Sequence, residues 1–583
     1  MSTTIYMDRA DKNKIGIFEI EDVRVIPVIF LPGIMGSNLK EKNGKKDSNS
    51  VWRYDSAATL AVWSAPWSGP IKRKEMLHPN KVDVDDRGEI FIPSGAIEQL
   101  SNVSSQYPKN PADKGEMEKY AAAIKQALEN FEPESKLFGS RRERGWGEVA
   151  KASYGSFLDA LQAALFRDKP KSKDPLPSEI YQKLLDEPLG LEFGPDSLDK
   201  EFLEVMKLYQ FPVHAVGYNW LDSNSVSAER LSDKIDKIVS DYNKRRMKCH
   251  KVILVTHSMG GLVARYYSEC LDKPGRDNIY GIVHGVMPST GAAATYTRMK
   301  RGTENLESNL VGYITSHILG RNAAEMTAIC SQSSGPLELL PSKDYGPDWL
   351  KIVDRDGSIQ QLPGQDPYSV YLNRKDWWKL IDENLLDPLN TSLNQKKIEA
   401  DWMIYEDLIT KNIIPFHQKI LERYHVHTYS FYGKVKKEII PGAHLTQGTV
   451  LWEGALASGE LRMGASEPEM NDGRLNLNEI GATRTVKDEF SEQEQAWRVK
   501  GKHDVIYGWI GQRFTLRNAC ENGDGTVPIR AGKIIHCNIK ERLAVETCHE
   551  SAYRHPLSLA FTLRSIIKIA QLVQDDEKMA YAD

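Results

Sequence analysis

The chain has 583 residues, enough for two or more domains or for one heavily decorated core. Hydrophobic residues make up 40% and charged residues 27%, so a sizeable core can be buried. The formal net charge of -4 gives no strongly basic face, and nucleic acid is excluded as the expected partner.

The N-terminal stretch 1–14 is polar and lacks the apolar segment of a secretory signal. No run of about 18 apolar residues predicts a membrane-spanning helix. The chain is expected to be made in the cytoplasm without a signal peptide, so any export needs a machinery that reads none. The first strong strand covers 23–31, β-branched and apolar throughout, as a strand buried on both faces requires. It stops at Pro32-Gly33. From 43 to 145 the pattern loosens around Trp52, Trp63 and Trp67, with an amphipathic helix predicted over 117–131. A second strand at 212–218 precedes a helix over 226–244, with Ser227 as its expected N-cap. A strand at 251–256, a tight turn, a helix at 262–270 and a strand at 279–286 follow. Strands alternating with helices predict a parallel sheet. The stretch 290–422 reads as mostly helix and loop, then a strand at 426–432, polar material to 503, a strand at 543–547 and a closing helix at 556–573. The predicted core thus comprises 15–42, 146–290, 423–433 and 504–583, with 43–145, 291–422 and 434–503 as mainly helical cap or lid insertions. The mixed apolar and polar run 310–319 is a candidate lid. Cys249, Cys270, Cys330, Cys520, Cys537 and Cys548 show no CxxC pairing and are expected to be reduced, buried thiols.

The sharpest motif is Thr256-His257-Ser258-Met259-Gly260-Gly261, between a buried strand and an amphipathic helix. In that context a serine sits on a sharp strand-to-helix turn above the sheet edge, with the helix N-terminus aimed at a developing oxyanion. Ser258 is the candidate nucleophile, and the N–H of Met259 one candidate oxyanion donor. Thr256 stands where such turns usually carry glycine. His257 reads as a packing residue rather than a base. The loop Pro32-Gly33-Ile34-Met35-Gly36-Ser37 follows the first strand and supplies the other donor, Ile34 or Met35. Asn522-Gly523-Asp524-Gly525-Thr526 puts one carboxylate on a permissive loop, making Asp524 the candidate acid. The base must follow the acid in the chain. His549, just past the last strand, is favoured, His555 is held in reserve, and His536 fits poorly ahead of that strand. Tyr218-Asn219-Trp220 lines or supports the site, or packs the core. No metal or cofactor is expected.

These motifs, with Val216-Gly217-Tyr218-Asn219-Trp220, resemble the lecithin:cholesterol acyltransferase-like branch of the α/β-hydrolases. The resemblance implies an α/β-hydrolase fold and an acyl-ester hydrolase or acyltransferase acting on phospholipid-like substrates, with Ser258, Asp524 and His549 as triad. Size, large insertions, Arg144-Gly145-Trp146-Gly147-Glu148 and Val286-Met287-Pro288-Ser289-Thr290-Gly291 are similar to bacterial lipase effectors of the type VI secretion system. That likeness implies a phospholipase turned on rival membranes, an immunity protein and a secretion-apparatus component as partners. Acyl transfer to an alcohol, and a silent binding protein on the same fold, are the competing expectations.

Overall fold

The structure is a computed structural model that describes residues 23–581, apart from 44–48, 54, 57–58, 60–61, 64–67, 93–117, 120–130, 168–178, 304–319, 436–444, 461–482, 488–494 and 499–504. Nearly all of the predicted helix at 117–131, the candidate lid at 310–319 and Trp67 lie outside the described residues.

Short apolar runs make the central sheet. Its strands are β1 (Val28–Leu31), β2 (Val213–Ala215), β3 (Val252–His257), β4 (Ile279–Gly285), β5 (Thr428–Gly433) and β6 (Ile539–Val545). They lie in the order β6-β5-β4-β3-β1-β2, and every pairing is parallel. Burial on both faces is the reason β1 is apolar throughout and β3 and β4 nearly so, whereas the edge strand β6 alternates buried residues with more exposed ones such as Lys540. Alternation sends Ile29, Leu31, Val252 and Leu254 into one core and Val28, Phe30, Ile253 and Val255 into another. The first core takes Leu231 and Ile235 of helix α2 (Asn224–Lys244) and Leu262 and Val263 of α3 (Gly260–Glu269). The second takes Phe157 and Leu161 of α1 (Lys151–Leu165) and Phe561 and Ile566 of α4 (Pro556–Ala570). Each aliphatic side chain so buried is worth about 1.5–3 kcal/mol relative to exposure. This is an α/β-hydrolase fold with a mostly parallel central sheet. From β1 the chain moves to β2 on one side, then returns to β3 on the other, so the strand order reverses between β1 and β3. Ligands of open parallel sheets bind at that crevice, outside the carboxyl ends of the strands.

Four features differ from the sequence reading. The cap of α2 is Ser223, whose hydroxyl accepts from Ser225 N–H, while Ser227 lies buried one turn inside. The segment Pro556–Asp575 is long and apolar enough to cross a membrane, although no such helix was expected, and most of it is buried within this fold. The insertions also hold strands. Leu350–Val353, Ile359–Leu362, Val450–Glu460, Thr483–Lys487, Gln495–Arg498 and Val505–Leu516 form a second sheet. Val505–Leu516, placed in the core segment starting at 504, belongs to that second sheet instead. Ile359–Leu362 is largely exposed and two of its four residues are Gln, so no apolar alternation announces it. Cys249, Cys270 and Cys330 are buried, as expected, whereas Cys520 and Cys537 are exposed.

Candidate active site

β3 ends in a turn too tight for ordinary backbone. Ser258 sits at φ 52°, in the left-handed region, with its N–H donating to Gly285 O at 2.9 Å. α3 starts two residues later. A Cβ on Gly260 would lie 2.5 Å from Pro32 O and 2.7 Å from Leu31 O, and one on Gly261 would strike Met287. The two glycines therefore let β1, β3 and α3 close on one another. Thr256, where a glycine is usual, uses its side chain: Oγ1 is 2.9 Å from Nδ1 of buried His284.

The loop after β1 lies against this turn. A Cβ on Gly33 would be 3.0 Å from Ser258 Cβ. Gly36 N–H donates to Gly33 O at 3.0 Å, and Met35 takes φ 64°, so Ile34 and Met35 occupy the corner of a β-turn beside the serine. Tyr218 braces the loop from below, its hydroxyl donating to Pro32 O at 2.7 Å and its N–H to Ser37 Oγ at 3.0 Å. Trp220 is fully buried and packs edge-on against Trp52 at 5.0 Å. The Tyr218–Trp220 segment thus supports the loop. Met259 opens α3, so its N–H faces outward from the helix start, where the dipole favours negative charge.

Asp524 is carried by the loop after the second sheet. Its Oδ1 accepts from Thr526 N–H at 2.9 Å and Val527 N–H at 2.6 Å, which leaves Oδ2 for His549 Nδ1 at 2.7 Å. A second bond fixes the pair, since His549 N–H donates to Asp524 O at 2.8 Å. His549 Nε2 then lies 2.8 Å from Ser258 Oγ. Asp524 and Ser258 are 1% and 3% exposed, and the His549 side chain 12%, so the chain of bonds opens outward only at the imidazole edge. A carboxylate accepts only, so Nδ1 carries the proton and Nε2 faces the serine hydroxyl with a lone pair.

The structure brings Ser258, His549 and Asp524 together, sets His257 beside them, and leaves the two other candidate bases, His555 and His536, elsewhere. His555 caps α4, its Nδ1 accepting from Leu557 N–H at 3.2 Å. His536 accepts from Asn538 N–H and lies 4.8 Å from the Tyr424 ring. Among the described residues no group of three or more His, Cys, Asp or Glu could hold a metal.

Sequence reading did not find Tyr154. This α1 residue takes the Gly33 N–H at 3.0 Å and lies 2.9 Å from His257 Nδ1. It is over a hundred residues upstream of the serine turn, and no local pattern marks it.

Three likenesses to known proteins are found. Residues 218–312, spanning the serine turn, match a model described as PGAP1-like alpha/beta domain. Saccharomyces cerevisiae Uncharacterized protein YJR098C is 25% identical over 203 residues, which is 33% of this chain and 29% of that protein. A chain in the crystal structure of the Tle4-Tli4 complex superposes with a TM-score of 0.67 at 26% identity, covering 94% of this chain and 99% of that one. With its parallel sheet and sharp serine turn, and with these likenesses, this chain has the α/β-hydrolase fold.

Proposed function

We propose that the chain is a serine lipid-ester hydrolase of phospholipase type, with Ser258 as nucleophile, His549 as general base and acid, and Asp524 as the residue that orients the imidazole. One observation carries the reading: the unbroken hydrogen-bond chain from Asp524 Oδ2 through both nitrogens of His549 to Ser258 Oγ, at 2.7 and 2.8 Å. His549 Nε2 takes the hydroxyl proton as Oγ bonds to the ester carbonyl carbon. The carbonyl oxygen gains negative charge beside Met259 N–H and the Ile34 or Met35 N–H. Removing one such donor typically costs about 3 kcal/mol of barrier. The C–O bond to the alcohol or lysolipid breaks, and the leaving oxygen takes the proton from His549. Water attacks the acyl-enzyme, giving its proton to His549, which returns it to Ser258. The residues drawn into the site supply every proton transfer, and the reaction as written needs no cofactor.

The effector role belongs to the same proposal. The likeness to a chain from a two-protein complex, extending over 94% of this sequence, supports a dedicated protein partner, which we assign as an immunity protein; export and action on a rival's membrane are part of the same proposal. Fatty-acid release from dioleoyl phosphatidylglycerol and phosphatidylethanolamine vesicles tests the chemistry. Wild type is expected to release fatty acid and Ser258→Ala to be inert; equal release by both would remove Ser258 from the mechanism. Expression in a bacterium with and without a periplasmic signal tests the role. Toxicity confined to the periplasmic form is expected, and harmless periplasmic expression contradicts the effector reading.

A further inference from the structure

His257 stands directly before the nucleophile, is 2% exposed and takes no part in the proton transfers above. Its two ring nitrogens are both used. Nε2 is 2.9 Å from the backbone oxygen of His549, and Nδ1 is 2.9 Å from the Tyr154 hydroxyl. That hydroxyl also receives the Gly33 N–H at 3.0 Å. The direction of every bond follows from the chemistry of the groups. A carbonyl only accepts, so His257 Nε2 carries hydrogen. Burial, reinforced by the neighbouring His549, holds the ring neutral by lowering its pKa to about 3, so Nδ1 keeps its lone pair. Tyr154 must then donate to Nδ1 and accept from Gly33. The result is one directed chain: Gly33 N–H to Tyr154 O–H to His257, and His257 Nε2–H to His549 C=O.

We propose that His257 and Tyr154 are positioning residues that lock the loop carrying the oxyanion donors to the backbone of the catalytic histidine. The two halves of the site come from distant parts of the chain. Gly33 follows β1, and His549 follows β6, the edge strand at the far side of the sheet order. Between them the sheet alone sets no fine register, because β1 and β6 are not neighbours. The chain through His257 supplies that register at the one point where nucleophile, base and oxyanion donors meet. Packing holds the relay rigid: the Tyr154 ring sits 4.9 Å from Phe30, and the His257 ring 5.8 Å from Tyr553 and 5.1 Å from His549. Tyr553 is itself tied to β3 by its hydroxyl bond to Thr256 O at 2.9 Å.

The proposal rests on the hydrolase reading above, and the test separates the two. Full-length wild type, Tyr154→Phe, His257→Leu, the double variant and Ser258→Ala are assayed on 4-nitrophenyl butyrate, with Tm recorded for each. Tyr154→Phe keeps the ring packing and removes the hydroxyl, so it serves even where His257→Leu fails to fold. Tyr154→Phe and His257→Leu are each expected to lower kcat roughly ten- to hundredfold with KM held within about twofold, the scale of a sub-ångström misplacement of reacting groups. The double variant should lose no more than the worse single, because one directed chain is broken only once. A Tyr154→Phe enzyme with unaltered kcat, a loss in KM alone, or losses that multiply in the double would overturn the positioning role. Ser258→Ala activity equal to wild type, or a wild type that leaves the ester intact, would instead overturn the hydrolase reading.

Discussion

Ser258 holds an unfavourable backbone conformation, φ 52°, and the surrounding residues explain how it persists. Its N–H is satisfied by Gly285, and the glycines at 260 and 261 remove the atoms that would collide. The acid is equally constrained, since two backbone amides and one imidazole use both carboxylate oxygens of Asp524. Asp524→Asn keeps this shape but offers an amide where His549 Nδ1–H needs an acceptor, which favours the wrong tautomer. A loss of about 10⁴ in kcat with Tm nearly unchanged is expected from steady-state assays and calorimetry; a loss under about tenfold would contradict the role given to Asp524. His555→Ala should keep kcat within about twofold while costing about 1 kcal/mol of stability as a lost helix cap. A dead His555→Ala enzyme would return the base to that residue. At this scale the sequence was informative wherever chemistry follows chain order. Ser258, Asp524 and His549 stand in the order the fold requires, each just past a strand or on a glycine loop. Tyr154 was illegible because its partners, Gly33 and His257, lie more than a hundred residues away on either side and are reached only through the tertiary fold. Thr256 looked like a flaw in the motif, and the reason for it, a bond to buried His284, is likewise visible only in three dimensions.

Elements were read best where burial wrote itself into the sequence. β1 is apolar throughout and β3 and β4 are apolar over most of their length because both faces are covered, and their positions follow from composition. The cap of α2 was misplaced because Ser223, Ser225 and Ser227 recur every second residue, and each suits an N-cap. The second sheet escaped notice for the opposite reason. Its longest strands carry Gly454, Gly459, Gly508 and Gly511, which lower strand propensity, and the sheet is stabilised by pairing rather than pattern. The start of α3 makes a direct prediction. Gly260→Ala forces a Cβ to 2.5 Å from Pro32 O, a backbone atom that cannot rotate away. Urea unfolding should show a midpoint shift equivalent to about 1–3 kcal/mol with an unchanged m-value. An unshifted midpoint would mean that β1 and α3 are not pressed together as described.

At the scale of the whole molecule, five buried histidines among the described residues share one electrostatic condition. Burial lowers His257 and His284 to about 3, His417 and His425 to about 4, and His214 well below its ordinary value. Each is neutral when folded and takes up a proton on unfolding below pH ~6.5, the ordinary histidine value. The unfolded state then binds more protons, so stability present above that pH is lost as pH falls toward the folded values. Each proton contributes at most ~1.4 kcal/mol per pH unit. Glu338 acts in the opposite sense, because burial raises its carboxyl to about 8 and unfolding between its ordinary value and 8 releases a proton. Burial also raises Asp159, Glu269 and Asp344, in the sense of Glu338, but lowers His78, His427 and His555 like the five rings, so the histidines prevail and Tm should fall from pH 7 to 4.5 in calorimetry. A flat or rising Tm over that interval would contradict the burial of these rings.

Ser258 as the single activated nucleophile is the claim on which the mechanism depends. A fluorophosphonate that mimics the tetrahedral intermediate tests it directly, with the adduct located by mass spectrometry of tryptic peptides. The modification is expected on the peptide 252–265 at Ser258, at a rate lowered by Asp524→Asn and abolished by Ser258→Ala. Labelling of another residue, or equal labelling of Ser258→Ala, would contradict it.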